Sequence, residues 1–217
     1  MDLSCAGRLP MRLAELFPPE AIRVGLEQYT KSAVIEALVR HAVVLGYLRR
    51  QEERLIIDTI LAREGLASTG LGHGLALPHC QWESLARFVG VAGLLHQGIP
   101  FDAVDGEPVD RVFLTLAPPD NPEQSFDVLG RLIAVGRNKS LRLLLRACRT
   151  AEQVAAFLNE IDQPVAGRLD ELARMSLTRL DRDQGGPWSD LAYFSLTREH
   201  RPARDREGRS FPEPRWI

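Results

Sequence analysis

The chain has 217 residues, 45% hydrophobic and 26% charged, the composition of an ordinary water-soluble globular protein with enough length for a full core. Its formal net charge of -2 provides no whole-molecule field to attract nucleic-acid phosphates or an anionic lipid surface. No apolar run approaches the ~18 residues of a membrane span and the N-terminus lacks the order of a secretion signal, so a cytoplasmic location is expected.

Residues 1–10 show no period and read as a lead-in. Residues 11–17 suit one or two helical turns, ended by Pro18 and Pro19. Residues 21–26 read as a short strand. Thr30 is suited to cap a helix over 31–45, where Val34, Ile35, Leu38, Ala42 and Leu45 recur at helical spacing before Gly46. A second helix is predicted over 51–64 from Leu55, Ile56, Ile60 and Ala62, with Gly65 just past its end. Residues 68–80 hold too many glycines for a helix and read as a loop feeding a strand.

Residues 88–95 and 112–117 are apolar on successive positions, as in strands covered on both faces. Asp105-Gly106-Glu107-Pro108 between them has turn chemistry. Helices are expected over 126–135 and 141–147, and Thr150-Ala151-Glu152-Gln153 has capping-box spacing for a last helix to about residue 160. Helices alternating with buried strands predict an α/β layered domain over residues 11–162. Residues 163–217 form a C-terminal extension. Residues 169–180 suit a helix, and beyond Asp183 the Arg-, Gly- and Pro-rich sequence offers too little apolar area to offset ordering. Its cations are interleaved with Asp and Glu, which favours a solvated disordered tail over a nucleic-acid arm.

The common phosphate-binding fingerprints fail residue by residue. Gly70-x-Gly72 is followed by Leu75 where a dinucleotide site has its third glycine, and no Lys-Ser or Lys-Thr completes a P-loop. His79 follows Pro78 at the end of an apolar run, so a stiff backbone would present its imidazole where loops converge. An imidazole titrates near pH 6.5 and holds a free nitrogen lone pair at neutral pH, which suits a nucleophile. Cys5, Cys80 and Cys148 contain no Cys-x-x-Cys pair, and neighbours on a strand point to opposite faces. A metal or thiol site built from His73, His79, Cys80 and His96 is therefore the weaker alternative.

Arg63-Glu64, the run Ser68-Thr69-Gly70-Leu71-Gly72-His73-Gly74-Leu75-Ala76-Leu77-Pro78-His79, and the stretch from Gly98 through Asp105-Gly106-Glu107-Pro108 to Leu114 together resemble the type 2 enzyme IIA domain of the bacterial phosphoenolpyruvate-dependent phosphotransferase system. That family includes mannitol- and fructose-type sugar IIA domains and nitrogen-regulatory IIA proteins, and the resemblance covers about residues 11–162. It implies a central mixed β-sheet flanked by helices on both faces, with no cofactor and no metal. It also implies a phosphocarrier in which His79 accepts a phosphoryl group on Nε2 from phosphorylated HPr or a paralogue and passes it to a IIB domain. Arg63 matches the family's active-site arginine, whose guanidinium fork can stabilise equatorial oxygens. Thr69 and His73 are supporting candidates at the phosphoryl site.

Ser125 stands where many members carry a second active-site histidine. A serine hydroxyl can donate one hydrogen bond to phosphate but has shorter reach, and Ser125 could alternatively be a helix N-cap. An alternative functional class is a regulatory module that binds a partner differently when His79 is phosphorylated. Neither reading requires nucleic acid or membrane insertion.

Overall fold

The computed structural model describes residues 11–162, and the expected helix and tail beyond them lie outside the described residues, as does the lead-in. In chain order the elements are α1 (Leu13–Leu16), a 3-10 turn (Pro19–Ala21), β1 (Ile22–Leu26), α2 (Lys31–Val44), a second 3-10 turn (Arg50–Glu52) and α3 (Glu53–Leu66). There follow β2 (Gly70–Gly72), β3 (Leu75–Ala76), β4 (His79–Gln81), β5 (Val89–Ile99), β6 (Val109–Ala117), α4 (Pro122–Arg137), α5 (Lys139–Ala147) and α6 (Ala151–Ile161).

Local chemistry explains most of these boundaries. The Thr30 hydroxyl accepts from the Ala33 amide at 3.2 Å and starts α2. Thr150 and Gln153 form a reciprocal capping box at α6. Several boundaries differ from expectation: β5 runs on to Ile99, β6 starts at Val109 and α5 at Lys139, and two further differences have a local cause. Gly65 lies inside α3, which continues to Leu66: a helical glycine costs only about 1 kcal/mol, and the Arg63 and Glu64 side chains hold the turn by bonding the Ala67 carbonyl and Thr69. Helix α4 begins at Pro122 rather than near Phe126, with proline at the first helical position where its missing N–H costs nothing.

The glycine-rich stretch is more regular than a loop, since it supplies three short strands of one six-stranded sheet. β5 and β6 pair antiparallel at its centre, and β1 runs parallel to β5. β3 and β4 both lie parallel along the other side of β6, and β2 pairs antiparallel with β3. Leu77-Pro78 interrupts this edge because proline has no ladder donor, although the Pro78 carbonyl still accepts from the Thr115 amide at 3.0 Å. The sheet is therefore mixed, with helices on both faces.

Alternation along β6 divides the core. Val112, Leu114 and Leu116 join Val34, Ile35, Leu38, Ile56 and Ile60 beneath α2 and α3. Phe113 and Ala117 turn to the opposite face with Val128, Leu132, Leu141, Leu145, Val154 and Leu158 of α4, α5 and α6. Phe17 closes that second layer, its ring edge-on to Phe113 with centroids 5.2 Å apart. Each fully buried aliphatic side chain contributes about 1.5–3 kcal/mol, enough in sum to hold irregular short strands beside the long ones.

Candidate functional site

Strand register places His79 opposite Thr115 and Cys80 opposite Leu116. Leu116 faces the α2/α3 core, and Cys80 packs against the same core. His79 consequently takes the parity of Thr115, opposite to that of Cys80. Its ring is half-buried, neither sealed in the interior nor freely solvated. Nδ1 lies 2.8 Å from the Leu77 carbonyl oxygen. A carbonyl can only accept, so Nδ1 carries the proton in this bond and the neutral ring has its lone pair on Nε2. Burial lowers the His79 pKa from its ordinary value, the Leu77 hydrogen bond and Glu64 oppose the shift, and the nearby Arg63 charge reinforces it.

Arg63 occupies the last turn of α3, the helix that packs against β4. Its side chain is 36% exposed, 3.7 Å from Glu64 Oε1, and its Nη1 donates to the Ala67 carbonyl at 2.9 Å. The guanidinium is thus held at the helix end while keeping donors available. The sequence reading of residues 63 and 79 as neighbours is consistent with this electrostatic coupling.

Glu64 is a part of the site that sequence reasoning did not single out. Its side chain is 2% exposed. One carboxylate oxygen accepts from the Thr69 hydroxyl and the other from the Thr69 amide at 3.1 Å. Lys31 Nζ stands 3.6 Å from Glu64 Oε2 and 2.7 Å from Asp102 Oδ2, with its ammonium over the Phe101 ring. The carboxylate therefore ties the end of α3, the start of α2 and the loop entering β2 into one unit. The missed signal is positional: Glu64 continues the Ile56, Ile60 stripe at four-residue spacing, and a charge on a buried stripe needs a partner.

The supporting candidates separate. Thr69 is buried beside the site, but its hydroxyl hydrogen is committed to Glu64, so it serves as a tether rather than a free donor. His73 is a correction in position. β3 aligns Leu75 with Arg111 whereas β4 aligns His79 with Thr115, and four residues of strand span about 13 Å at ~3.3 Å per residue. His73 lies beyond Leu75, at the other end of β6, in a turn with φ of 54°. Its amide donates to Asp105 Oδ2 at 2.6 Å and its Nδ1 is 3.7 Å from the same oxygen.

Ser125 is on the fourth residue of α4, and its amide donates to Asn121, the helix N-cap, at 3.2 Å. The capping alternative is thereby overturned. Residues 118–121 lead directly from the end of β6 that pairs with β4 into this turn. The Ser125 Oγ is buried without a hydrogen-bond partner, an unusual condition for a hydroxyl.

The thiol alternative fares poorly on the same geometry. Burial pushes the Cys80 thiol up to about 12, which disfavours the nucleophilic thiolate. His96 is exposed toward the end of β5 that pairs with Val109, away from His79, and among the described residues no three His, Cys, Asp or Glu side chains gather as metal ligands.

Comparison with known proteins places the chain in a family. Residues 15–161 match the family model described as phosphoenolpyruvate-dependent sugar phosphotransferase system, EIIA 2. A nitrogen regulatory protein of Bradyrhizobium diazoefficiens is 33% identical over 148 residues, covering 68% of this chain and 95% of that protein. A fructose-specific EIIA component of Haloferax volcanii is 28% identical over 149 residues, covering 69% and 96%. Among solved structures, the nitrogen regulatory protein IIA-Ntr of Neisseria meningitidis superposes with a TM-score of 0.61 at 29% identity, covering 67% of this chain and 97% of that one. The matched region includes both long core strands, the glycine-rich edge and His79, and the chain belongs to the type 2 EIIA family of the phosphotransferase system.

Proposed function

We propose that this chain is a phosphocarrier in which the neutral His79 imidazole accepts a phosphoryl group on Nε2 from the phosphohistidine of HPr or a paralogue, then passes it to a IIB domain or a regulated partner. The observation that carries this reading is the Nδ1 hydrogen bond to the Leu77 carbonyl, which orients the ring and leaves Nε2 as the nucleophilic nitrogen. The Nε2 lone pair forms the new N–P bond while the donor's N–P bond breaks and its electron pair returns to the donor imidazole. Arg63 supplies N–H donors to the equatorial oxygens as charge redistributes. Ser125, whose hydroxyl is otherwise unpartnered, supplies a further donor. Glu64 and Thr69 hold the scaffold and His73 takes no part in the transfer.

A second reading uses the same chemistry as a signal: phosphorylated and bare His79 present different charge to a regulated protein. Its support is the 33% identity to a protein named as nitrogen regulatory, beside 28% to a sugar component. Incubation with phosphoenolpyruvate, enzyme I and HPr should place an acid-labile phosphoryl group on the wild-type chain and none on His79→Ala. Label persisting in that variant rejects His79 as acceptor. Onward transfer to a IIB partner supports carriage; phosphorylation-dependent capture of a regulatory protein without onward transfer supports signalling.

A further inference from the structure

The segment from Arg137 to Arg149 contains five basic residues and no acidic one, in a chain of net charge -2. Three of those cations, Lys139, Arg142 and Arg146, line a groove of about 440 Å³ together with His73, Glu107 and Asp110, a volume within the range of small-molecule sites. Leu141 and Leu145 bury the opposite side of α5 in the core, so the helix is anchored with its cationic side over the groove. His79 lies at the other end of β6, so this is a separate place on the molecule.

The positive charge here is incompletely neutralised. Lys139 has no ion pair among the described residues, and it stands at the first position of α5, where the helix dipole already disfavours a cation. Arg142 donates to the Gly136 carbonyl at 2.8 Å and has no carboxylate partner among the described residues. Arg146 Nε is 4.0 Å from Asp110 Oδ2, which is also 3.5 Å from Arg111 Nη1. One carboxylate is thus shared by two guanidinium groups, and Glu107 is the other acid of the groove. Arg111 is 7% exposed on its side chain, with Nε lacking a hydrogen-bond partner. Burial lowers its pKa, Asp110 raises it, and Arg149 and Arg146 lower it again, the mark of like charges crowded together. Gly74 keeps the floor open: its φ is +82°, and a side chain there would meet Arg146 Nη2 at 2.6 Å and Asp110 Oδ1 at 2.7 Å.

We propose that this groove binds a compact polyanion, a small molecule carrying clustered phosphate or carboxylate groups, held by Lys139, Arg142 and Arg146. Guanidinium forks match either oxyanion, and charge-assisted hydrogen bonds are the strongest available in such a site. Glu107 and Asp110 among the lining residues favour a small ligand over an extended polyanionic backbone, which would have to run past both carboxylates.

Tripolyphosphate and citrate serve as probes, each titrated into the full chain by calorimetry and by backbone amide shifts at about 0.1 M salt, where the Debye length is ~10 Å. Saturable binding should shift amides of residues 73–74, 107, 109–111 and 139–146. The triple variant K139Q/R142Q/R146Q should weaken it at least tenfold, and K139Q alone, on an exposed side chain, should weaken it about threefold with thermal unfolding unchanged. Binding of tripolyphosphate alone identifies a phosphate ligand and binding of citrate alone a carboxylate one; binding of both identifies a general polyanion site. No saturable binding of either, retention in the triple variant, or shifts confined to residues near His79 would overturn the proposal.

Discussion

The two ends of β6 each hold a histidine drawn from the same glycine-rich stretch, and the protein treats them oppositely. His79 is half-buried, aligned by its neighbour's carbonyl and coupled to Arg63 and Glu64. His73 is 56% exposed, in a left-handed turn flanked by Gly72 and Gly74, and pinned to Asp105. Imidazole chemistry is the same in both. What differs is whether the backbone fixes one nitrogen as donor, leaving the other as a base, and whether the ring is half-buried or open to solvent.

That contrast is tested most sharply by removing each imidazole in turn. His79→Ala should remove all phosphoryl label, whereas His73→Ala should retain it at an unchanged rate, measured with phosphorylated HPr as donor. Equal loss in both would make the separation along β6 irrelevant. The next largest effect belongs to Arg63→Ala, expected to slow transfer by about 100-fold, the scale seen on removing one transition-state donor. Carrier binding should change far less, because the guanidinium acts on charge that develops during transfer. An unchanged single-turnover rate would remove Arg63 from the site.

Glu64→Gln tests the buried carboxylate tether at the His79 end. It keeps the shape but removes the charge shared by Lys31 and Arg63, and denaturant unfolding should show a loss of about 1–3 kcal/mol. A neutral result would mean that the buried carboxylate is replaceable by an amide and that the tether needs only its hydrogen bonds.

The pH dependence is a finer probe. His79 has a folded-state pKa below the ~6.5 of an unfolded imidazole. Between those two values the unfolded chain binds the extra proton, so this histidine's contribution to stability falls as pH drops through that window and is fully restored above it. NMR titration should report His79 titrating below 6.5, with Nδ1 protonated in the neutral ring, and His79→Gln should flatten this part of the stability profile. A His79 pKa at or above 6.5 contradicts the burial argument. The smallest change is expected from Ser125→His: a modest rise in transfer rate with the fold intact, since the second imidazole adds reach rather than the acceptor itself. A slower rate would show that the position is filled by the serine for steric reasons.

Helical periodicity, cap chemistry and apolar runs made most elements legible because those signals are local: Thr30, Thr150 and the β5 and β6 runs each act through near neighbours. Gly65 misled because the last turn of α3 is held by side-chain bonds of Arg63 and Glu64 to Ala67 and Thr69, which a glycine's position does not signal. Residues 70–76 looked like loop because strands of two or three residues are specified by their pairing partners, not by their own composition. At the site, the Pro78-His79 sequence and its resemblance located the candidate acceptor, and Arg63 followed from the same pattern. Glu64 stayed hidden because a charged residue looks solvent-directed until its partners Thr69 and Lys31 are known.

By itself the sequence determined the layered α/β plan through residue type and spacing along the chain, and its resemblance to a known family supplied the family and named His79 and Arg63 as candidates. Tertiary structure alone decided that His73 stands at the far end of β6, that Ser125 lies within α4 rather than capping it, and that the Lys139, Arg142 and Arg146 side chains share one groove. Those facts are set by strand register and layer packing, which join residues tens of positions apart and leave no periodic trace in the chain.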